Sequence, residues 1–172
     1  MRRHSGIAPL TPERTIALCY TGSYMTALTV FAAKYLIGAS VALALAYGLL
    51  TRRKREFWGY AAAVIVTSYA LALIAGALYS HPQPFVALGT DPLVEHAVDN
   101  SFPSHHVLFA AAFAASVTPF HLPLAGVLWL FALLIGAARV VAPLHYPIDI
   151  IASFIIVAVS ALLLWRARKV IT

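Results

Sequence analysis

Five apolar runs, each close to the length needed to cross a hydrocarbon bilayer, constrain this chain more than any other feature. They cover approximately residues 31–50, 57–79, 104–120, 124–141 and 148–165. A lipid core is crossed by about 20 helical residues and leaves no water for unpaired backbone groups, so each run is expected to be a helix. With 62% hydrophobic and only 10% charged residues, the chain exceeds the apolar content of soluble domains. The sequence therefore predicts an all-α polytopic membrane helix bundle.

The segment 13–30 is less apolar than these runs, because Thr, Ser, Gly and Tyr are spread through it. It is expected to be an N-terminal interfacial helix ahead of five transmembrane helices, with a sixth span as the alternative. Neither an internal repeat nor a change of composition indicates a second domain, so residues 1–172 are predicted to form one integral-membrane domain. The first residues carry basic side chains without an apolar run directly after them, which is typical of a mature N-terminus.

Positive charge is concentrated beside the apolar runs. Residues 52–55 and 166–169 form two basic clusters in a chain of net charge +6. Alternation of the spans places both clusters on one side of the membrane, which the positive-inside rule makes the cytoplasmic side. The loops 80–103 and 139–147 then share the opposite side. Because the basic residues flank membrane spans and form no aromatic-interleaved face, nucleic-acid binding is not expected.

Most other titratable residues gather on that opposite side, where ionisable groups are costly and usually functional. The sequence Pro103-Ser104 before an apolar run is typical of a helix start, with Ser104 as the N-cap. The first N–H groups of such a helix favour an anion, and His106 lies on the same rim. Taken alone, Ser104 is typical of an ordinary helix cap, and His106 is typical of an interfacial polar side chain.

A second polar group lies in the stretch ARVVAPLHYPID. Arg139 ends the fourth span, and its planar guanidinium suits phosphate oxygens. His145 follows in a segment that its prolines keep out of a helix. Asp149, near it, could fix the imidazole tautomer and stabilise its cation. The alternative is a structural ion pair between Arg139 and Asp149, with His145 as a loop residue.

Together the two groups supply a complete set of side chains for phosphoryl transfer. The stretches FPSHH and ARVVAPLHYPID resemble the second and third signature motifs of the type-2 phosphatidic acid phosphatase superfamily, which includes membrane lipid phosphatases and vanadium haloperoxidases. The stretches YSHPQPF, EHAVDNSFPSHH and FAAKYL further resemble the bacitracin-resistance type of undecaprenyl-diphosphatase. The similarity runs from about Phe31 to Asp149, and the third motif is its most specific part.

The resemblance implies a metal-independent phosphatase that hydrolyses a polyprenyl (undecaprenyl) diphosphate to the monophosphate through a phosphohistidine. His145 would be the nucleophile, Asp149 would orient it, and His106 would protonate the leaving oxygen and then activate water. Ser104, Arg139 and the backbone N–H of His105 would hold the phosphate. No metal or cofactor is expected. The partners would be the lipid phosphate and the bilayer of a bacterial cytoplasmic membrane, with the site facing the periplasm or exterior.

Two positions depart from the family pattern. The first motif ordinarily ends in Arg-Pro, whereas Gln83 precedes Pro84 here, so one phosphate-binding cation is missing. The position between the motif serine and the acid histidine is usually Asp or Gly, whereas it is His105 here. These two changes could offset each other electrostatically. Lys34, near the outer end of the first span, could supply the missing cation, or it could simply extend its ammonium group to the interface.

Other functions fit parts of the same pattern. A lipid phosphotransferase shares the phosphohistidine step, and a phosphatase could instead act on lipid A, phosphatidylglycerol phosphate or phosphatidic acid. A catalytically decayed lipid-binding protein would fit the two departures. A haem carrier would need histidines facing each other within helices, whereas these lie at helix ends. Glu95, His96 and Asp99 suggest a metal site, but no matching ligand set stands elsewhere.

Overall fold

The computed structural model describes residues 12–90, 93–94 and 97–171, and side chains from 22 to 167 within those ranges. The elements in chain order are six helices: α1 (Pro12–Leu50), α2 (Lys54–Leu78), α3 (Pro84–Leu88), α4 (His105–Val117), α5 (Leu122–Val141) and α6 (Pro147–Ile171). Outside the helices, the described chain has one isolated β-bridge, between Pro82 and Asn100. The predicted all-α fold is confirmed.

Four of the helices are long and apolar enough to cross a membrane. Their spans are Gly22–Leu50, Lys54–Leu78, Leu122–Val141 and Pro147–Ala167. The remaining predicted span corresponds to α4, which has only 13 residues. At 1.5 Å per residue such a helix is about 20 Å long, less than a hydrocarbon core of about 30 Å. The bundle therefore consists of four long helices around or beside a shorter apolar one.

The segment 13–30 is not a separate interfacial helix, nor a sixth span. It belongs to α1, one continuous helix of 39 residues. The prediction of a separate element is wrong. Lower hydropathy affects whether lipid or water surrounds a helix, but it does not interrupt the backbone hydrogen bonds that continue the helix. An interruption needs a proline or a cap, and no proline follows Pro12 before Leu50.

The short helix α4 forms the core of the bundle. It packs against α1, α2, α5 and α6. In membranes, small residues let helices approach closely, and the resulting van der Waals contact drives their association. This explains why α4 is rich in buried alanines, which are Ala110, Ala111, Ala112, Ala114 and Ala115.

The two ends of the bundle differ in their contents. The Arg53 guanidinium lies 5.7 Å from the Phe120 ring, and the Tyr47 ring lies 5.7 Å from that of His121. The α1–α2 turn with its basic cluster therefore shares one end with the α4–α5 turn. The end of α2, the start of α4 and the α5–α6 turn lie at the other end, as alternation predicted.

Candidate active site

Three helix ends bring the predicted site residues together at the end of the bundle opposite the basic turn. Ser104 is the N-cap of α4, Arg139 lies in the last turn of α5, and Asp149 lies in the first turn of α6. The hydroxyl of Ser153, on α6, donates to the backbone oxygen of Ser104 over 2.9 Å. The backbone N–H of His145 donates to the backbone oxygen of Arg139 over 3.3 Å. These bonds fix the three ends relative to one another.

The His145 imidazole is buried and held by a backbone carbonyl. Its Nδ1 lies 2.8 Å from the backbone oxygen of Ser101. Because a carbonyl oxygen can only accept, this bond needs the proton on Nδ1, and the lone pair of the neutral ring is then on Nε2. Nδ1 lies 3.6 Å from Asp149 Oδ2, which is too long for a hydrogen bond. The tautomer is therefore fixed by Ser101, with the Asp149 charge nearby.

The Asp149 carboxylate is fully buried and is held by donors on both oxygens. Oδ2 accepts from the Ser101 hydroxyl over 2.6 Å and from the Tyr146 backbone N–H over 2.9 Å. Oδ1 lies 3.0 Å from Nε2 of His81. A buried carboxylate is costly unless it is hydrogen-bonded, and these contacts keep it in one orientation beside His145.

Ser101 and His81 are site residues that sequence reasoning did not select. They bond to Asp149 across 48 and 68 positions of the chain, respectively. Both belong to the stretches that carry the resemblance, YSHPQPF and EHAVDNSFPSHH, and this membership was the available signal. Spacing alone could not assign them because both lie in loops, far along the chain from their partner in α6.

Two buried polar groups stand where a phosphate could bind. Ser104 occupies the predicted N-cap position, but its hydroxyl makes no side-chain cap bond. That oxygen is buried without a hydrogen-bond partner among the described residues, a condition that costs about 1–3 kcal/mol. Arg139 is only 1% exposed. A phosphate oxygen near the start of α4 could accept from both groups and from the first N–H groups of the helix.

Two imidazoles follow Ser104 at the start of α4. His105 is exposed, its ring lies 5.8 Å from that of Tyr69, and it interacts electrostatically with Asp99 and His145. His106 is half-buried and occupies the position of the motif histidine. Both imidazoles therefore lie at the end of the bundle that holds His145, and the acid–base role of His106 stays a prediction.

Gln83 reaches the site through Asp99. The Gln83 side chain is fully buried, and its Nε2 donates to Asp99 Oδ1 over 2.7 Å. Its Oε1 accepts from the Asp99 backbone N–H over 3.3 Å, so both polar ends of the amide are engaged. Asp99 in turn interacts electrostatically with Arg139 and His105. Gln83 thus sets the position of a carboxylate whose charge acts on Arg139 and on the His105 imidazole.

Lys34 is not joined to the other site residues. It is exposed on α1, and its ammonium nitrogen lies 5.8 Å from the Tyr35 ring. Within the part of the chain that the structure describes, no group of three His, Cys, Asp or Glu side chains is placed to hold a metal ion. Glu95 and His96 lie outside the described residues.

A membrane helix bundle with a carboxylate-backed histidine, a buried arginine and a helix N-terminus at one end has the components of a phosphoryl-transfer enzyme. The chain belongs to the PAP2 superfamily, whose family model matches residues 56–172. It is therefore a membrane phosphatase of this superfamily, and the resemblance seen in its motifs is confirmed.

Individual proteins show which members of the superfamily this chain is similar to. The chain is 35% identical over 152 residues to the bacitracin transport permease protein BcrC of Bacillus licheniformis, covering 86% of this chain and 74% of that protein. It is 29% identical over 150 residues to undecaprenyl-diphosphatase BcrC of Bacillus subtilis (strain 168), covering 87% and 78%. The crystal structure of Aquifex aeolicus LpxE matches with a TM-score of 0.64 at 19% identity, covering 86% of both chains. The last match supports the fold.

Proposed function

We propose that this protein hydrolyses a polyprenyl diphosphate, such as undecaprenyl diphosphate, to the monophosphate through a phosphohistidine on the non-cytoplasmic side of the membrane. The observation that carries the proposal is the bond from His145 Nδ1 to the Ser101 carbonyl, with Asp149 Oδ2 3.6 Å from the same nitrogen. It leaves Nε2 of a neutral imidazole as the nitrogen that can attack phosphorus. The similarity to an undecaprenyl-diphosphatase supports the choice of lipid.

In the first half-reaction, Nε2 of His145 attacks the terminal phosphorus of the diphosphate. The bond from that phosphorus to the bridging oxygen breaks, and its electron pair leaves with the lipid monophosphate. His106 donates a proton to this leaving oxygen and becomes neutral. The ring keeps its Nδ1 proton on the Ser101 carbonyl, and the nearby Asp149 charge stabilises the cationic ring.

In the second half-reaction, a water molecule attacks the phosphohistidine. His106, now neutral, accepts a proton from this water, and the bond from phosphorus to Nε2 breaks. The electron pair returns to His145, and inorganic phosphate leaves. Arg139 and the Ser104 hydroxyl would hold the phosphoryl oxygens through both steps, which reduces the cost of the negative charge in the transition states.

The side of the membrane is proposed from the charge distribution. The basic turn at 52–55 lies at the bundle end opposite the site, and positive clusters mark the cytoplasmic side. The lipid chain would lie in an apolar groove of about 520 Å³ between α5 and α6. This groove includes Val140 and Val141 at the end of α5 and Pro147 at the start of α6, so it extends to the end of the bundle that holds the site.

The proposal predicts metal-independent release of inorganic phosphate. Purified protein in detergent micelles is incubated with undecaprenyl diphosphate, phosphatidylglycerol phosphate or phosphatidic acid, each with and without a chelator. We expect phosphate release from the polyprenyl diphosphate to be the fastest and to persist in chelator. Transfer of the phosphoryl group to an added lipid acceptor in place of water would favour a phosphotransferase. Loss of activity in chelator that a divalent ion restores would contradict the metal-free mechanism.

The Asp99 contacts predict that Gln83 and His105 are energetically coupled. His105→Asp places a second carboxylate near Asp99 and should raise the KM for the lipid diphosphate. Gln83→Arg adds a cation beside the same carboxylate and should offset that increase in the double variant. We expect a coupling of about 0.5–3 kcal/mol, the range for residues that share a partner. The measurement is KM and kcat for both single variants and the double variant.

Strict additivity in this double-mutant cycle would contradict the coupling. The coupling would also be contradicted if neither single change altered phosphate release. Lys34→Gln, a change at an exposed residue without a hydrogen bond or ion pair to the described site residues, serves as the comparison. A KM increase in Lys34→Gln would show that this lysine acts on the substrate.

A further inference from the structure

His81 links the loop after α2 to the buried carboxylate of the site. Its side chain is 18% exposed, and Nε2 lies 3.0 Å from Asp149 Oδ1. The backbone around it is fixed on both sides, because its N–H donates to Asn100 Oδ1 over 3.2 Å and its carbonyl accepts from the Ser101 N–H over 3.0 Å. The loop therefore presents the imidazole in a defined position.

The two carboxylate oxygens of Asp149 have different hydrogen-bond partners. Oδ2 holds the Ser101 hydroxyl and the Tyr146 N–H, whereas Oδ1 is the atom next to His81. With Nε2 donating to Oδ1, the carboxylate cannot rotate without breaking bonds on both oxygens. Without this donor, Oδ1 of the buried carboxylate loses a partner, and the carboxylate could turn and move its charge away from the His145 ring.

We infer that His81 is a positioning residue for phosphoryl transfer, which acts by holding the Asp149 charge beside the His145 ring. This inference rests on the proposed function. The ring becomes cationic when Nε2 attacks phosphorus, so displacement of that charge should lower kcat for phosphate release. Binding of the lipid diphosphate should change little, because His81 contacts the carboxylate and not the proposed phosphate-binding groups.

Ring packing is the competing explanation for His81. Its ring lies 5.2 Å from that of Tyr79 and 5.1 Å from that of Tyr146, both in edge-to-face arrangements. Two substitutions separate packing from hydrogen bonding. His81→Phe keeps an aromatic ring but removes the donor, whereas His81→Gln removes the ring but keeps an amide nitrogen at a similar distance from Cβ as Nε2.

The experiment compares kcat and KM of both variants for phosphate release from undecaprenyl diphosphate in detergent. We expect His81→Phe to lower kcat by about 10- to 100-fold with a nearly unchanged KM, as for loss of a hydrogen bond to a charged group. We expect His81→Gln to stay within about 3-fold of the wild-type kcat, because an amide N–H can donate to the carboxylate. Tyr79→Phe, which keeps the neighbouring ring and loses only a hydroxyl, is the matched control and should behave as wild type.

Near-wild-type activity of His81→Phe, or equal losses in both variants, would overturn the inference in favour of ring packing. A higher KM with an unchanged kcat would also overturn it, because that pattern indicates direct substrate contact. If His81→Phe does not fold, the kcat of His81→Gln decides: retention supports the inference, and a loss of 10-fold or more overturns it. Wild-type protein without phosphate release from any polyprenyl diphosphate would instead refute the proposed function itself.

Discussion

Replacing His145 with asparagine is expected to abolish phosphate release, lowering kcat by about 10⁴-fold or more, as for loss of a catalytic nucleophile. Asparagine is the informative choice because its amide nitrogen lies near the position of Nδ1. It can therefore still donate to the Ser101 carbonyl, which is 2.8 Å from Nδ1 in the structure. The variant should fold with the buried site intact and lack only the Nε2 lone pair that would attack phosphorus.

The same variant tests the covalent intermediate directly. Wild-type protein mixed with a lipid diphosphate labelled with ³²P in its terminal phosphate and quenched in alkali should retain label on the protein, and acid should remove it, as expected for a phosphorus–nitrogen bond. The His145→Asn variant should retain none. His121→Asn is the matched control, because His121 lies at the opposite end and caps α5 by accepting from Leu124 N–H, a task that asparagine performs well. Label on His145→Asn at wild-type levels would place the nucleophile elsewhere.

The apolar runs predicted the helices better than their ends. The run 104–120 predicted a helix that continues to Phe120, yet α4 ends at Val117. Pro119 has no N–H to continue the helix, and the Thr118 hydroxyl bonds back to the Ala114 carbonyl over 2.8 Å. Conversely, α2 begins at Lys54, before its apolar run, where Arg53 pairs with Glu56 over 2.6 Å. Hydropathy indicates where lipid surrounds a chain, while capping and proline decide where a helix stops.

Some parts of the candidate site could be predicted from residues close in sequence, whereas others depend on contacts between distant segments. Arg139, His145 and Asp149 lie within eleven consecutive residues, so the sequence offered them as candidates, with a structural ion pair as the alternative until the second motif was considered. The bonds that set the chemistry join distant segments: Ser101 and His81 both reach Asp149. Neither hydrophobic periodicity nor motif spacing predicts which distant residues form such hydrogen bonds. They depend on Asn100, whose side chain bonds to the carbonyls of Gly76 and Phe102 and thereby fixes the loops.

Replacing His106 with glutamine is expected to lower steady-state phosphate release by about 10²- to 10⁴-fold, the usual contribution of a general acid–base residue. The loss should fall mainly on the second half-reaction. When a diphosphate is the substrate, the leaving group is itself a phosphate, which can depart as an anion although the variant donates no proton to it. Attack of water on the phosphohistidine still needs a base. The variant should therefore accumulate ³²P-labelled protein under the alkaline quench, in contrast to His145→Asn.

His105→Gln is the control that separates the two neighbouring imidazoles. The resemblance to the family motif implies the acid–base role for His106, whereas His105 interacts electrostatically with Asp99 and His145. If His106 is the base, His105→Gln should alter KM modestly and leave the amount of labelled protein at the wild-type level. Accumulation of label in His105→Gln, with normal turnover in His106→Gln, would transfer the role to His105. Such a result would also mean that the histidine at the usual Asp or Gly position replaces the motif residue in water activation.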